Sequence, residues 1–215
     1  MQQTEVNYYT DLGTVEYTEA MELQHRLVLL RKDGKIPNII LFLDHPDVYT
    51  IGRKSDAANY KNVNVIRADR GGDVTFHGRG QLVSYFIFDI RIDGKPEVGI
   101  LLKRIESAYL NFLKLYGYEA ELDKEPGIWI RHNGTKLKIA SLGMAVDNYI
   151  SYHGMAMNIS SEAVKGFQLI NPCGMNSNVI SFVDIPRDSA ITGLIDQFKE
   201  IYGNFKKIEL KDILD

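Results

Sequence analysis

Two stretches constrain this chain more than any others: Ile39-Ile40-Leu41-Phe42-Leu43 and Leu82-Val83-Ser84-Tyr85-Phe86-Ile87-Phe88-Asp89-Ile90. Both are short and dense in branched and aromatic residues, so each reads as a buried strand. The first empties into the turn Asp44-His45-Pro46-Asp47. Three other segments carry helical spacing. From about Val15 to Lys32, Ala20, Leu23, Leu27 and Leu30 mark one face, and Asp33-Gly34 with Pro37 close the helix. From Pro96 to about Tyr116 the apolar face is Val98, Leu101, Leu102, Ile105, Tyr109 and Leu113. Pro186 and Asp188 introduce a third helix, with Ile191, Leu194, Ile195, Phe198 and Ile201 inward.

Further strands are expected over Gly127–His132, Lys136–Val146 and Ile150–Ile159, the first two joined by the two-residue hairpin signal Asn133-Gly134. Val63–Arg67 alternates weakly, and Phe205–Leu214 reads as a short strand or a cap. Ser160–Val179 is irregular. Helices and strands mixed in this way predict an α+β (mixed α/β) architecture, one domain over residues 1–215. A regular βαβ repeat is missing, which disfavours a doubly wound nucleotide fold.

Composition excludes several functions. Hydrophobic residues make up 45% of the 215, enough to offset the entropy of ordering the chain. The formal net charge is -3 with no basic block, so no nucleic-acid partner is expected. No stretch approaches the roughly 18 apolar residues of a membrane span. The start MQQTEVNYYTDLG lacks a basic segment followed by an apolar run, so no signal peptide is read. The lone cysteine can form neither an internal disulfide nor a thiolate cage for zinc. A reducing cytoplasm, and no metal, fit these features.

That cysteine, Cys173, sits in Ile170-Asn171-Pro172-Cys173-Gly174, between a rigid residue and a permissive one. By itself it allows two readings, an exposed nucleophile or a small buried hydrophobe. Lys138 interrupts the apolar register of Lys136-Leu137-Lys138-Ile139-Ala140. It is either part of a solvated strand face or an ammonium aimed into a cleft, where it could stabilise a thiolate and move a proton. The segment from Arg70 to Gln81 carries four glycines but matches neither the P-loop nor GxGxxG. Its bare N–H groups could receive a carbonyl oxygen. His77 lies inside it and His153 precedes Gly154; for both, a site role and a structural role are equally open. His25, His45 and His132 read as structural. Asp73, Asp89, Asp147 and Asp184 form no couple of the glycosidase kind.

Six ordered segments carry more than spacing: LGTVEYTEAMELQ (12–24), LDHPDVYTIGR (43–53), RGGDVTFHGRGQLVSY (70–85), KIASLG (138–143), YHGMAMN (152–158) and INPCG (170–174). Over nearly its whole length the chain resembles the lipoyl(octanoyl) transferases of protein lipoylation. The resemblance implies a fold like the biotin and lipoate protein ligases, a mainly antiparallel sheet flanked by helices. It implies transfer of an octanoyl group from octanoyl-acyl carrier protein to a lysine of a lipoyl domain, on a 2-oxoacid dehydrogenase or the glycine cleavage H protein. No cofactor is implied. It assigns Cys173 as the acyl-carrying nucleophile and Lys138 as its pKa-lowering partner. It assigns acyl binding to Arg70, Gly71, Gly72, Asp73, Val74, Thr75, Phe76 and His77, to Ser141, Leu142 and Gly143, and to Gly154, Met155 and Ala156. His153, Asn158 and Gly80 are given supporting roles.

The chain departs from the family pattern at Arg79 and Phe86, where proline is usual, at Ala145 for arginine, and over Ser161–Gly166. Other readings of the same resemblance are an ATP-dependent lipoate or biotin ligase, a non-catalytic carrier-binding module, and a cysteine amidotransferase between lipoyl domains.

Overall fold

In a computed structural model that describes residues 6–174 and 177–214, the run Ile39–Leu43 forms a central strand, and its side chains divide between two cores. The elements in chain order are β1 (Asn7–Thr14), α1 (Tyr17–Lys32), β2 (Ile39–Asp44), β3 (Val48–Ile51), β4 (Val65–Arg67), β5 (Val74–His77), β6 (Gln81–Ile87), β7 (Arg91–Ile92), β8 (Lys95–Pro96), α2 (Val98–Leu115), β9 (Ala120–Glu121), β10 (Gly127–His132), β11 (Thr135–Asp147), β12 (Ile150–Asn158), α3 (Arg187–Tyr202), β13 (Phe205–Lys207) and α4 (Lys211–Leu214).

Eight strands make the main sheet, in the order β13-β1-β2-β6-β12-β11-β10-β9. The pairs β13–β1 and β1–β2 are parallel, and every pair from β2 to β9 is antiparallel. Side chains alternate along a strand, so Ile39, Leu41 and Leu43 meet Leu27 and Val28 of α1, while Ile40 and Phe42 meet Ile105 and Phe112 of α2 and Phe198 of α3. β6 and β12 divide in the same way: Val83 and Ala156 face α1, whereas Leu82, Phe86, Met155 and Met157 face α2 and α3. The expected mainly antiparallel sheet flanked by helices is observed, with α1 on one face and α2 and α3 on the other.

A second sheet, β4-β3-β5, stands beside the first. Its core joins Ile51, Val74 and Phe76 to Phe167 and Ile170 of the following irregular segment. That segment forms short 3-10 turns at Ser161–Leu169, Pro172–Gly174 and Ser177–Val179.

Two differences from the sequence reading have clear causes. β1 was not anticipated, because its inward residues include Asn7 and Thr10 and so leave no apolar alternation. Long-range bonds hold it instead: the Asn7 side chain donates to Tyr202 O at 3.0 Å, and the Tyr8 amide to Asn38 O at 2.8 Å. The ambiguous tail pairs in parallel with β1 as β13 and then turns into α4.

Gly154 is where β12 lies tightest. A Cβ there would stand 2.1 Å from the Ser84 carbonyl oxygen and 2.8 Å from the Phe86 ring. Gly154→Ala is therefore expected to destabilise the protein by about 1–3 kcal/mol through overpacking, read as a lower midpoint in urea denaturation.

Candidate active site

A cavity of about 450 Å³ is walled by β5, β6, β11 and β12, by the loop of residues 70–73, by the start of α2 and by Pro172. Its volume lies within the roughly 300–1,000 Å³ usual for small-molecule sites. Most of its lining is apolar, from Val83, Leu102, Leu142, Met144, Met155 and Ala156 among others.

Lys138 lines this cavity and is only 4% exposed. Its neighbour on the same strand face, Lys136, instead reaches the surface carboxylates of Asp123 (2.8 Å) and Glu121 (3.2 Å). Both ammonium groups lie over the Trp129 ring, at 5.6 Å for Lys136 and 5.5 Å for Lys138. The two lysines that sequence alone could not separate thus have different environments, one wet and ion-paired, the other enclosed.

The backbone of Cys173 belongs to the turn Pro172–Gly174, closed by the Gly174 amide donating to Asn171 O at 3.0 Å. The side chain of Cys173 lies outside the described residues. The chain is tethered on both sides of the turn. Before it, the Asn171 amide donates to Asn59 O at 2.9 Å. After it, Ile180 forms a parallel bridge with Lys138, and the Ser181 amide donates to Lys138 O at 2.9 Å. Pro172 lines the same cavity as Lys138.

The glycine-rich loop is held by Arg70, whose buried guanidinium points at protein. Nη1 donates to Gly71 O (2.9 Å) and Asp73 O (3.0 Å), and Nη2 donates to Thr50 O (2.9 Å) and Thr50 Oγ1 (2.8 Å). The Asp73 carboxylate likewise accepts from the Asp56 amide (3.0 Å) and the Asn59 side chain. Arg70 and Asp73 contribute cavity wall, but these polar contacts are architectural. The loop closes onto β11 through the Gly71 amide, which donates to Met144 O at 3.0 Å.

Three imidazoles are buried beside the cavity. The Val15 carbonyl can only accept, so His45 donates to it from Nδ1 (2.7 Å), and Nε2 accepts from the Tyr85 hydroxyl (2.7 Å). His77 donates from Nδ1 to Gln81 Oε1 (3.3 Å); Gln81 donates to Asn158 Oδ1 (3.0 Å), and Asn158 to Ser181 O (2.7 Å). His153 donates from Nε2 to Asp69 (2.6 Å). Burial holds all three imidazole pKa values below the ordinary one, most strongly for His77, which His45 and Arg70 also disfavour as a cation. The Asp69 carboxyl is also held down, far below the usual carboxylate range, chiefly by the His153 hydrogen bond and further by Tyr152 and His25.

His153 has φ = 58°, a left-handed conformation inside a strand, which costs of order 1–3 kcal/mol. Two bonds offset that strain: the bond to Asp69, and the His153 amide donating to the buried Gln24 side chain at 2.7 Å. Gln24 is the last residue of the first sequence motif, and this contact gives the motif's end a physical reason.

All but one of the residues carried over as acyl-binding line the cavity. The exception is Phe76, whose ring packs at 5.3 Å from Tyr49 and 5.7 Å from Phe167 in the core of the small sheet. β5 alternates, so Phe76 turns inward while Thr75 and His77 reach the cavity. Gly80 and Asn158 stand behind the wall. Gly80 packs on Ser160, where a Cβ would lie 2.3 Å from Oγ, and Asn158 carries the relay from His77. Sequence reading missed Tyr17, Tyr85, Val98 and Leu102 as lining residues. Tyr17 and Tyr85 lie within quoted motifs, which was the available signal. Val98 and Leu102 looked like ordinary helix core.

The family model of the lipoyl protein ligase A/B catalytic domain matches residues 16–202. This chain belongs to that family. An octanoyltransferase of Koribacter versatilis (strain Ellin345) is 37% identical over 216 residues, covering 95% of this chain and 84% of its own. One from Solibacter usitatus (strain Ellin6076) is 32% identical over 209 residues, covering 93% and 92%. With these relatives, the family member described here is an acyltransferase. Among solved structures, the bipartite lipoate protein ligase of Thermoplasma acidophilum has a TM-score of 0.72 at 17% identity, covering 97% of this chain and 89% of its own. Lipoate-protein ligase A bound with ATP has a TM-score of 0.67 at 17% identity, covering 96% and 91%. Both show the shared fold.

The buried imidazoles make stability pH-dependent. Their folded-state pKa values lie below the free imidazole value of about 6.5, so the unfolded chain takes up protons first as pH falls. Stability is complete above that pH and is lost progressively as pH falls toward the folded-state values. Urea denaturation between pH 7.5 and 5 should show this loss, with a shallower slope in His77→Gln.

Proposed function

We propose that this chain transfers an octanoyl group from octanoyl-acyl carrier protein to a specific lysine of a lipoyl domain, through a thioester on Cys173. The acceptor class is a lipoyl domain of a 2-oxoacid dehydrogenase or the glycine cleavage H protein, and the setting is the cytoplasm. The observation that carries the reading is local. Lys138 is enclosed at an apolar cavity, and the chain just beyond the single cysteine is bridged to Lys138 itself. Relatives named octanoyltransferase, at 32–37% identity over most of the chain, support the acyl group.

In the first half-reaction the Cys173 thiolate attacks the thioester carbonyl carbon. A new C–S bond forms, the old one breaks, and the carrier's thiolate leaves with a proton from the Lys138 ammonium. In the second half, the acceptor lysine attacks as a neutral amine. The C–N bond forms, the Cys173 thiolate is released, and neutral Lys138 takes the proton the amine loses. Amide N–H groups near the 70–73 loop supply candidates for holding the oxyanion. A thioester is already activated, so the reaction draws on no ATP. The apolar lining gains about 0.8 kcal/mol per buried CH₂, which sets chain-length preference only modestly per carbon.

An ATP-dependent ligase would share the fold; incubation with free octanoate and ATP separates the two, because only a ligase releases AMP. Incubation with octanoyl-acyl carrier protein should give a hydroxylamine-labile mass adduct at Cys173, absent in a folded Cys173→Ser variant that has lost transfer. Full transfer by that variant would overturn the mechanism. Lys138→Ala is expected to slow transfer about 10²–10⁴-fold and to move the pH profile of iodoacetamide alkylation upward. An unmoved profile would remove Lys138 from the proposed role.

A further inference from the structure

We infer that Asp73 and Asn59 form a hydrogen-bonded relay that positions the Cys173 turn, acting on the reactive residue through polar contacts that face protein. The inference rests on the reading of Cys173 as nucleophile.

The relay starts at the rigid end of the site. The Asp73 backbone is held by the Gly52 amide, which donates to its carbonyl at 3.2 Å, and by Arg70 at 3.0 Å. The residue is 9% exposed, and each carboxylate oxygen accepts from the neighbouring loop, Oδ1 from the Asp56 amide and Oδ2 from Asn59 Nδ2. That loop is a single 3-10 turn, Ala57–Asn59, capped by Asp56 Oδ1 accepting from the Ala58 amide at 2.9 Å. Asn59 then passes the constraint on: its carbonyl accepts the Asn171 amide at 2.9 Å, and the Asn171 carbonyl accepts the Gly174 amide at 3.0 Å. The turn that carries Cys173 is thus attached on this side through Asn59, and Asn59 is attached through Asp73. Further along the chain, Ile180 is bridged to Lys138. The two tethers together set where the turn stands relative to the lysine, and small misplacements of reacting groups carry large rate costs.

A charge-and-amide exchange tests the relay. Asn59→Asp sets two carboxylates against each other and breaks the link. Adding Asp73→Asn restores it with donor and acceptor reversed, since the new amide still accepts from Asp56 and can donate to the new carboxylate. Two readouts are needed on the full chain: acyl transfer at saturating octanoyl-acyl carrier protein, and iodoacetamide alkylation of the single cysteine. Asn59→Asp is expected to lower kcat about 10- to 100-fold with little change in donor KM, and to alter the alkylation rate at unchanged pH. The double variant should recover both to within about threefold. Wild-type rates in folded Asn59→Asp overturn the relay, as does a folded double variant no faster than the single. If Asn59→Asp does not fold, the double variant decides alone: near-native rates support the relay and slow ones overturn it. Failure of the nucleophile reading is seen separately, as retained transfer in Cys173→Ser, whereas alkylation still reports the placement of the turn.

Discussion

The buried guanidinium of Arg70 is the interaction on which the rest of the site depends. A charge taken out of water must be met by hydrogen bonds, and Arg70 is met by the carbonyls of Gly71, Asp73 and Thr50 together with the Thr50 hydroxyl. Those bonds fold the glycine-rich loop against β3, while the Gly71 amide ties its tip to Met144 O on β11 of the main sheet. The cavity is the space left between them. The same packing explains Gly52, where a Cβ would lie 2.4 Å from Gly72 O and 2.6 Å from Gly71 O. The fixed positive charge also acts at a distance, helping to keep His77 neutral.

A wall of neutral imidazoles and phenols suits an apolar guest better than charged groups would. His77 and Tyr85 in the wall, and His45 behind it on the Tyr85 hydroxyl, are all held in their uncharged forms by burial, and His45 and His77 pass their polar atoms to protein partners. Satisfied polar atoms behind the lining cost little, whereas unsatisfied ones would compete for water. Arg70 and Asp73 also line the cavity but turn their polar ends to protein; Lys138 lies against the face of Trp129, on the strand that also receives the chain leaving the Cys173 turn.

Much of the fold was legible from local pattern. The runs at 39–43 and 82–90, the Asn133-Gly134 hairpin and the three amphipathic helices all appear where their spacing put them, within two or three residues. β1 was illegible because its two buried positions, Asn7 and Thr10, are polar and its partners are about 30 residues away in β2 and near the C-terminus in β13. Within the site, motif membership pointed to the right segments but not to the direction of each side chain. Phe76 shares a motif with His77 and faces the opposite way, and Arg70 and Asp73 turn their polar ends toward backbone.

Sequence by itself determined the chemistry on offer: one thiol, a lysine pair two residues apart, glycines where the backbone must approach closely, and six ordered motifs that name a family. Only the tertiary structure decided which lysine is enclosed, which aromatic rings line the cavity and how the cysteine turn is tethered. The reason is that local spacing fixes period and handedness, while burial depends on partners far along the chain. Lys136 and Lys138 are equivalent on an isolated strand; they become different when Asp123 takes one and the segment around Ile180 closes over the other.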